Sequence, residues 1–425
     1  MRVISCSAKN SNNPFVIREI FVFLRCSIFP PLSIIMKHWF SVTLCMLCAT
    51  IMHGQLLNPG ILYGTKDIRG IAKLVDDGLL AEGRVQLRNS LTILENSAAK
   101  DEAQMLQALI MRQSQDYKYA DRQLSNFIYQ RPNSPFIPIA WLERGFIAYH
   151  ITELPKAIEH FTITSEITRE RSLSDSLFAH YRATALYWKG ASEAKLGNPD
   201  AALTTLKEVQ DTYPSHALAD DALYMRAQLK ERSGAEQEAV VLYGELLRTY
   251  PMRNAALSSA IRAANIKLGM REPNASITYI DQAKALLERM QSQDSSIIKP
   301  EEQILSEHAD EDIAFIRAQS LVLAGKSKAG LLAFEAFRTT YPHSVLFMHA
   351  TMSAGYAAYN LEEYPKSETY YQYVIDSAKD EHALLKSGAL LYHALIQKEK
   401  GERSAAKKSF LLSLCKPVIL LLRKL

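Results

Sequence analysis

Cysteine is nearly missing from the bulk of this 425-residue chain: Cys6, Cys26, Cys45 and Cys48 lie within the first 54 residues, and only Cys415 lies beyond them. The body can therefore build neither a disulfide framework nor a cysteine-based metal site. Glycine and proline are also scarce, at 17 and 16, which argues against an all-β chain full of tight turns. A charge excess is missing too, although the total of +4 suggests one. Arg2, Lys9, Arg18, Arg25 and Lys37 face only Glu19 in residues 1–54; taking these five from 49 basic and this one from 45 acidic residues leaves 44 of each sign. A neutral body lacks the basic stripe of a nucleic-acid binder. With 48% hydrophobic residues the chain is too apolar for disorder, and its wealth of Ala, Leu, Glu, Gln and Lys favours helix.

Signatures of chemistry are absent as well. Gly325-Lys326-Ser327 is the nearest approach to a phosphate loop, but a P-loop needs a glycine where Ser320 stands and a strand before it. His150, His160, His180, His216, His343, His349, His382 and His393 include no pair at the i, i+4 spacing that sets two ligands on one helical face. There is no Gly-x-Ser-x-Gly elbow. No catalytic, cofactor-binding or metal-binding residue is expected.

Residues 1–54 read as a leader. From Met36 the chain runs MKHWFSVTLCMLCATIMHGQ, with Lys37 and His38 before an apolar run from Trp39 to Met52 and then Gly54. These are the parts of a secretory signal peptide, and the run is short for a membrane span. Cleavage is expected after Gly54. Leu44 and Leu47 precede Cys45 and Cys48, which makes a poor lipobox. An earlier apolar stretch, Phe15 to Phe29, suggests translation from Met36 with upstream residues that are not expressed; the alternative is an anchor of two apolar segments. The expected location is periplasmic or outer-membrane-associated.

The body repeats. Small residues separated by 12 recur as Ala108/Ala120, Gly145/Ala157, Gly190/Ala202, Ala227/Ala239, Ala263/Ala275, Ala318/Gly330, Gly355/Ser367 and Ala394/Ala406. Four residues later stand Leu124, Phe161, Leu206, Tyr243, Tyr279, Phe334, Tyr371 and Phe410, all bulky. Pro132, Pro214, Pro251 and Pro342 lie twelve beyond the second small residue, and Gly197, Gly234, Gly325 and Gly401 lie seven beyond the first. Two helices approach closely only where both carry small side chains, and the bulky residue one turn later fills the space beside them. Pro155, Pro199, Pro273 and Pro365 suit the first turn of the second helices, with Asn198 a candidate N-cap. Ile68, Ile71, Leu74 and Val75 at helical spacing mark residues 66–98 as helical.

This pattern resembles the tetratricopeptide repeat, most fully in ALYWKGASEAKLGNPDAALTTLKEVQDTYP (185–214). The resemblance implies an all-α, right-handed superhelical solenoid of antiparallel helix pairs. Its parts would be a helical segment at 55–100 that forms a degenerate starting repeat, about five repeats at 101–287, a polar linker or insertion at 288–309, about three repeats at 310–414, and an apolar tail at 415–425. The Tyr-Pro repeat ends, as in DTYPSHALADDALYMRA (211–227), resemble periplasmic tetratricopeptide proteins of the BamD and Tol-Pal coordinator type. That likeness implies a non-enzymatic envelope scaffold binding protein or peptide partners in a concave groove. In the family register the groove positions are Tyr149, His150, Tyr187, Lys195, Tyr224, Arg232, Tyr356 and Tyr359. Met105 and Leu109 stand where a chaperone-binding carboxylate clamp would have Lys and Asn. Two other readings stay open: a subunit of an enzyme whose catalytic domain lies elsewhere, and a cytoplasm-facing scaffold anchored by residues 15–52.

Overall fold

The computed structural model describes residues 66–91, 97–292, 300–378 and 382–424. The leader with its signal peptide, residues 293–299 of the polar insertion and the side chain of Cys415 lie outside the described residues. Among the described residues there is no strand, and eighteen α-helices follow one another in consecutive pairs. None of these helices is long and apolar enough to cross a membrane.

The described residues up to Ser259 form one compact unit. It holds α1 (Lys66–Asp76), α2 (Leu80–Leu91), α3 (Ser97–Gln113), α4 (Tyr117–Gln130), α5 (Ile137–His150), α6 (Leu154–Ile167), α7 (Ser176–Leu196), α8 (Pro199–Thr212), α9 (Ala219–Arg232) and α10 (Glu236–Thr249). The division falls within α11 (Asn254–Gly269). The second unit continues with α12 (Pro273–Ser292), α13 (Pro300–Leu323), α14 (Ser327–Thr340), α15 (Phe347–Asn360), α16 (Tyr364–Ser377), α17 (Ala383–Glu399) and α18 (Arg403–Lys424). The 288–309 stretch is thus occupied at both ends by lengthened helices, α12 and α13.

The small-on-bulky rule builds each pair. A methyl group added at Gly145 would lie 2.5 Å from the Phe161 ring, one at Gly190 would lie 2.7 Å from Leu206, and one at Gly355 would lie 2.8 Å from Tyr371. The bulky residue of the second helix thus occupies the space that the first helix leaves by having no side chain. Leu124, Phe161, Leu206, Tyr243, Phe334 and Tyr371 are at most 1% exposed, and each contributes about 1.5–3 kcal/mol by burial. Phe410, at the same place in the last pair, is 38% exposed, with Leu411 and Leu412 beside it.

The fifth pair departs from the expected register. Ala275 and Tyr279 are only half-buried, whereas Ser276 and Ile280 are fully buried. The pair is therefore Ala264 with Ser276 and Ile280, one residue later; Ala263 and Ala264 are both fully buried, so the alanine doublet fits either register. Ile71, Gly83 and Leu87 repeat the same 12-and-4 spacing in α1 and α2, with Gly83 and Leu87 buried. In this helix pair a large Ile71 stands where the other pairs have their first small residue.

One backbone feature recurs in every pair. The residue seven beyond the first small position has positive φ: Gly78, Gly197, Gly234, Gly325 and Gly401, but also Gln115, Thr152, Arg271 and Glu362. This left-handed residue ends the first helix and aims the chain into the second. A β-branched residue is the worst fit there, and Thr152 has φ 66°. Thr152→Gly is expected to stabilise the protein by about 1 kcal/mol, read as a raised denaturation midpoint. Asn198 occupies the N-cap of α8, but its side chain makes no capping bond.

The Tyr-Pro ends fasten one repeat to its neighbour. The Tyr213 hydroxyl donates to Ser172 Oγ at 3.0 Å and accepts from Arg182 Nη1 at 3.0 Å. Tyr250 donates to the carbonyl of Pro214, the proline of the preceding repeat end, at 2.9 Å. Other residues between repeats reach back to the preceding first helix: Arg131 to Asp101 at 3.5 Å, Ser344 to Glu311, His216 to His180, and His382 toward His349.

Candidate partner-binding surface

The first helices α5, α7 and α9 carry six of the eight expected groove residues, and they are not equivalent. Tyr187 and Tyr224 are buried, at 4% and 6% exposure, so their rings pack between helices. Tyr149 and His150 are half-buried; Lys195 and Arg232 are exposed. The cluster turns on Trp188, a neighbour of Tyr187 that residue patterns did not single out. Trp188 takes edge-on contacts from Phe146 at 5.4 Å, Tyr149 at 5.0 Å and Tyr187 at 5.7 Å. Such contacts add about 0.5–1.5 kcal/mol each beyond burial and fix ring orientation. Lys195 Nζ lies 4.5 Å from the Tyr149 ring centre, a cation–π contact that ties α7 to α5. His150 stacks on Tyr117 with centroids 5.9 Å apart.

In the second unit, half-buried Tyr356 and Tyr359 meet Tyr392 of α17 at 5.6 and 5.7 Å. Tyr364 lies 5.8 Å from Tyr359, and Tyr371 stacks on Tyr392 at 5.3 Å. Burial, then the neighbouring Tyr364 and Glu399, push the Tyr359 hydroxyl pKa up. It remains a neutral donor at ordinary pH.

Two polar arrangements that the sequence did not announce sit behind the first cluster. Arg112 of α3 pairs with Glu143 of α5, each only 2% exposed, and the guanidinium lies 5.8 Å from the Phe146 ring centre. Burial raises the Glu143 pKa more than Arg112 lowers it. The second is a histidine pair. Leu218 N–H donates to His216 Nδ1 at 3.1 Å, which places the His216 proton on Nε2, 2.9 Å from His180 Nδ1. Both rings are thereby neutral, and their tautomers are fixed. Both facing nitrogens are engaged in this bond. Among the described residues no group of three His, Cys, Asp or Glu side chains is placed to hold a metal ion.

Burial, then His180 and Arg253, bring the His216 pKa down to about 4. The unfolded chain, with His near 6.5, takes up that proton earlier. The stability that neutral His216 contributes is therefore fully present above about pH 6.5 and is lost as pH falls toward 4. Asp221 acts in the opposite sense: burial and Asp220 push it up to about 7 against the pull of Arg253, so folding gains as pH falls from there. Comparing a variant with the wild type cancels Asp221 and the other groups that do not touch His216. His216→Asn, whose amide oxygen can still accept the Leu218 N–H, should gain about 2 kcal/mol on the wild type between pH 7.5 and 4.5, measured by chemical denaturation at both pH values.

Paired helices joined by a left-handed residue, with small residues facing bulky ones, define an all-α repeat protein. A family model for the tetratricopeptide repeat matches residues 184–216 and 221–251, which are α7 with α8 and α9 with α10. The chain carries tetratricopeptide repeats. Among solved structures it is similar to the apo form of RapI, at 10% identity over 84% of this chain and 97% of that one, with a TM-score of 0.50. It is also similar to a tetratricopeptide repeat protein from Parabacteroides merdae, at 14% identity over 68% and 98% of the two chains and a TM-score of 0.38. Pseudomonas aeruginosa PilF is 14% identical over 57% and 95%, with a TM-score of 0.39. No curated protein matches. Tetratricopeptide arrays are protein–protein interaction scaffolds that bind protein or peptide partners.

Proposed function

We propose that this protein is a non-enzymatic scaffold of the bacterial cell envelope, exported by the signal at Met36–Gly54, that holds partner proteins or peptides against its first helices. The observation that supports the reading is the aromatic cluster built there twice, around buried Trp188 and around buried Tyr392, each bordered by half-buried tyrosines. Tyr149, His150, Lys195 and Arg232 form the accessible part of the first surface, backed by buried Tyr187 and Tyr224; Tyr356 and Tyr359 belong to the second. Tyrosine offers a broad apolar face and a hydroxyl at low entropic cost, which suits contact with varied partners. The envelope assignment draws on the leader and on the resemblance of the Tyr-Pro ends to proteins of the BamD and Tol-Pal coordinator type. It extends to the assembly of an outer-membrane or other envelope complex.

Protease accessibility tests it. In spheroplasts of the native host, added protease should digest the body while cytoplasmic markers survive. Full protection until the inner membrane is lysed would place the body in the cytoplasm and refute export.

A further inference from the structure

α18 is unlike the other second helices in charge, length and surface. It holds Arg403, Lys407, Lys408, Lys416, Arg423 and Lys424 without an Asp or Glu, whereas each of the other eight second helices carries at least one carboxylate. It ends at Lys424, fourteen residues after Phe410; α8, α10, α14 and α16 end six residues after Leu206, Tyr243, Phe334 and Tyr371. The two residues after the bulky one are polar or small in most pairs, as in Lys207-Glu208, Gly244-Glu245, Asp281-Gln282 and Glu335-Ala336. In α18 they are Leu411 and Leu412, both about half exposed. One face of α18 is taken by α17, since Ser413 is buried and Ser409 Oγ donates to Gln397 Oε1 at 2.9 Å. Successive helical residues stand about 100° apart, so Phe410, Leu411 and Leu412 point in three other directions. A protein surface covers one side of a helix, whereas acyl chains close round it. A second copy would also set six cations against six, and like charges across an interface are costly.

We infer that α18 lies in the surface of an anionic bilayer, with Phe410, Leu411 and Leu412 among the upper acyl chains and Lys407 and Lys408 at the lipid phosphates. Lys407 stands one turn before Leu411 and Lys408 one turn before Leu412, and the flexible lysine stems let the ammoniums reach the phosphates while the leucines enter the acyl region. Cations beside Leu and Phe suit a helix that rests in the interface rather than one that spans it, and α18 is not apolar enough to cross. Charge also sets the orientation. Taking the six cations of α18 from the 44 basic residues beyond the leader leaves 38 against 44 acidic ones. An anionic surface therefore attracts α18 and repels the rest of the array, which stands away from the membrane with its first helices free for partners.

The test is flotation of the full mature chain with vesicles of phosphatidylglycerol and phosphatidylethanolamine in equal parts, set against vesicles of phosphatidylcholine alone. The anionic vesicles should be bound about tenfold or more tightly, and added salt should weaken that binding. Lys407→Glu with Lys408→Glu, and separately Leu411→Ser with Leu412→Ser, change only exposed side chains. With unchanged melting curves, each paired variant should bind the anionic vesicles about tenfold more weakly, whereas Lys207→Glu on α8 should bind as the wild type does. Equal binding to the two kinds of vesicle, or full binding by either paired variant, would overturn the inference. A dimer in lipid-free sedimentation that the leucine variant dissociates would overturn it too, since a second copy would then cover α18.

Discussion

Glu143→Ala is expected to destabilise the protein by about 3–5 kcal/mol. The change removes the carboxylate that pairs with Arg112, whose guanidinium is enclosed by α3, α5 and the Phe146 ring and is 2% exposed. An arginine cannot shed its proton to escape burial, so the loss appears as unfolding rather than as a shifted titration. The pair itself is a poor source of net stability. That the Glu143 pKa is raised despite its arginine partner shows desolvation outweighing attraction. Replacing both partners, as Arg112→Met with Glu143→Leu, should therefore be close to neutral or mildly stabilising. Urea denaturation of the wild type, the single variant and the double variant checks this. A single variant within about 0.5 kcal/mol of wild type would mean the guanidinium reaches water.

Gly145→Val should cost about 3 kcal/mol or more, at the upper end for overpacking. Its Cβ alone would stand 2.5, 2.6 and 2.9 Å from three carbons of the Phe161 ring. The ring has little room to yield: it is fully buried and meets Phe146 edge-on at 5.4 Å, and Phe146 is in turn held against Trp188. Gly70 makes the contrast. A Cβ there meets nothing within 4 Å, so Gly70→Ala in the interior of α1 should stabilise by about 0.5–1 kcal/mol. Because the clash is with one side chain, Phe161→Ala should relieve part of it. A double-mutant cycle is expected to show a coupling of about 1–3 kcal/mol between positions 145 and 161; additive effects would mean the two helices simply move apart.

Gly145 and Phe161 also show why so much of the fold was legible. Their spacing is dictated by the contact between two helices, and that contact recurs, so eight pairs could be aligned on small and bulky residues. Legibility failed where the contact leaves the residue type open. Ala263 and Ala264 satisfy the small position equally, and only burial of Ser276 and Ile280 decides between them. The left-handed residue is visible as glycine in Gly197 or Gly401 but hidden in Thr152 and Arg271, because one strained residue is tolerated where packing holds both helices. The surface was read less well than the scaffold. Tyr149 and Tyr187 belong to the same class of helix, yet one borders solvent and the other is buried; that difference depends on the neighbouring repeat. Arg112–Glu143 and His180–His216 join residues about one repeat apart, and nothing in either local sequence names its partner.

The central claim is that the first helices, and not the second, meet the partner. Photo-crosslinking in living cells tests it most directly, with the photoreactive residue placed at Tyr149 or Tyr359 on first helices and at Val241 or Leu332, exposed positions on second helices. Defined adducts are expected from Tyr149 and Tyr359 and absent from Val241 and Leu332. Adducts from the second-helix positions alone would contradict the account.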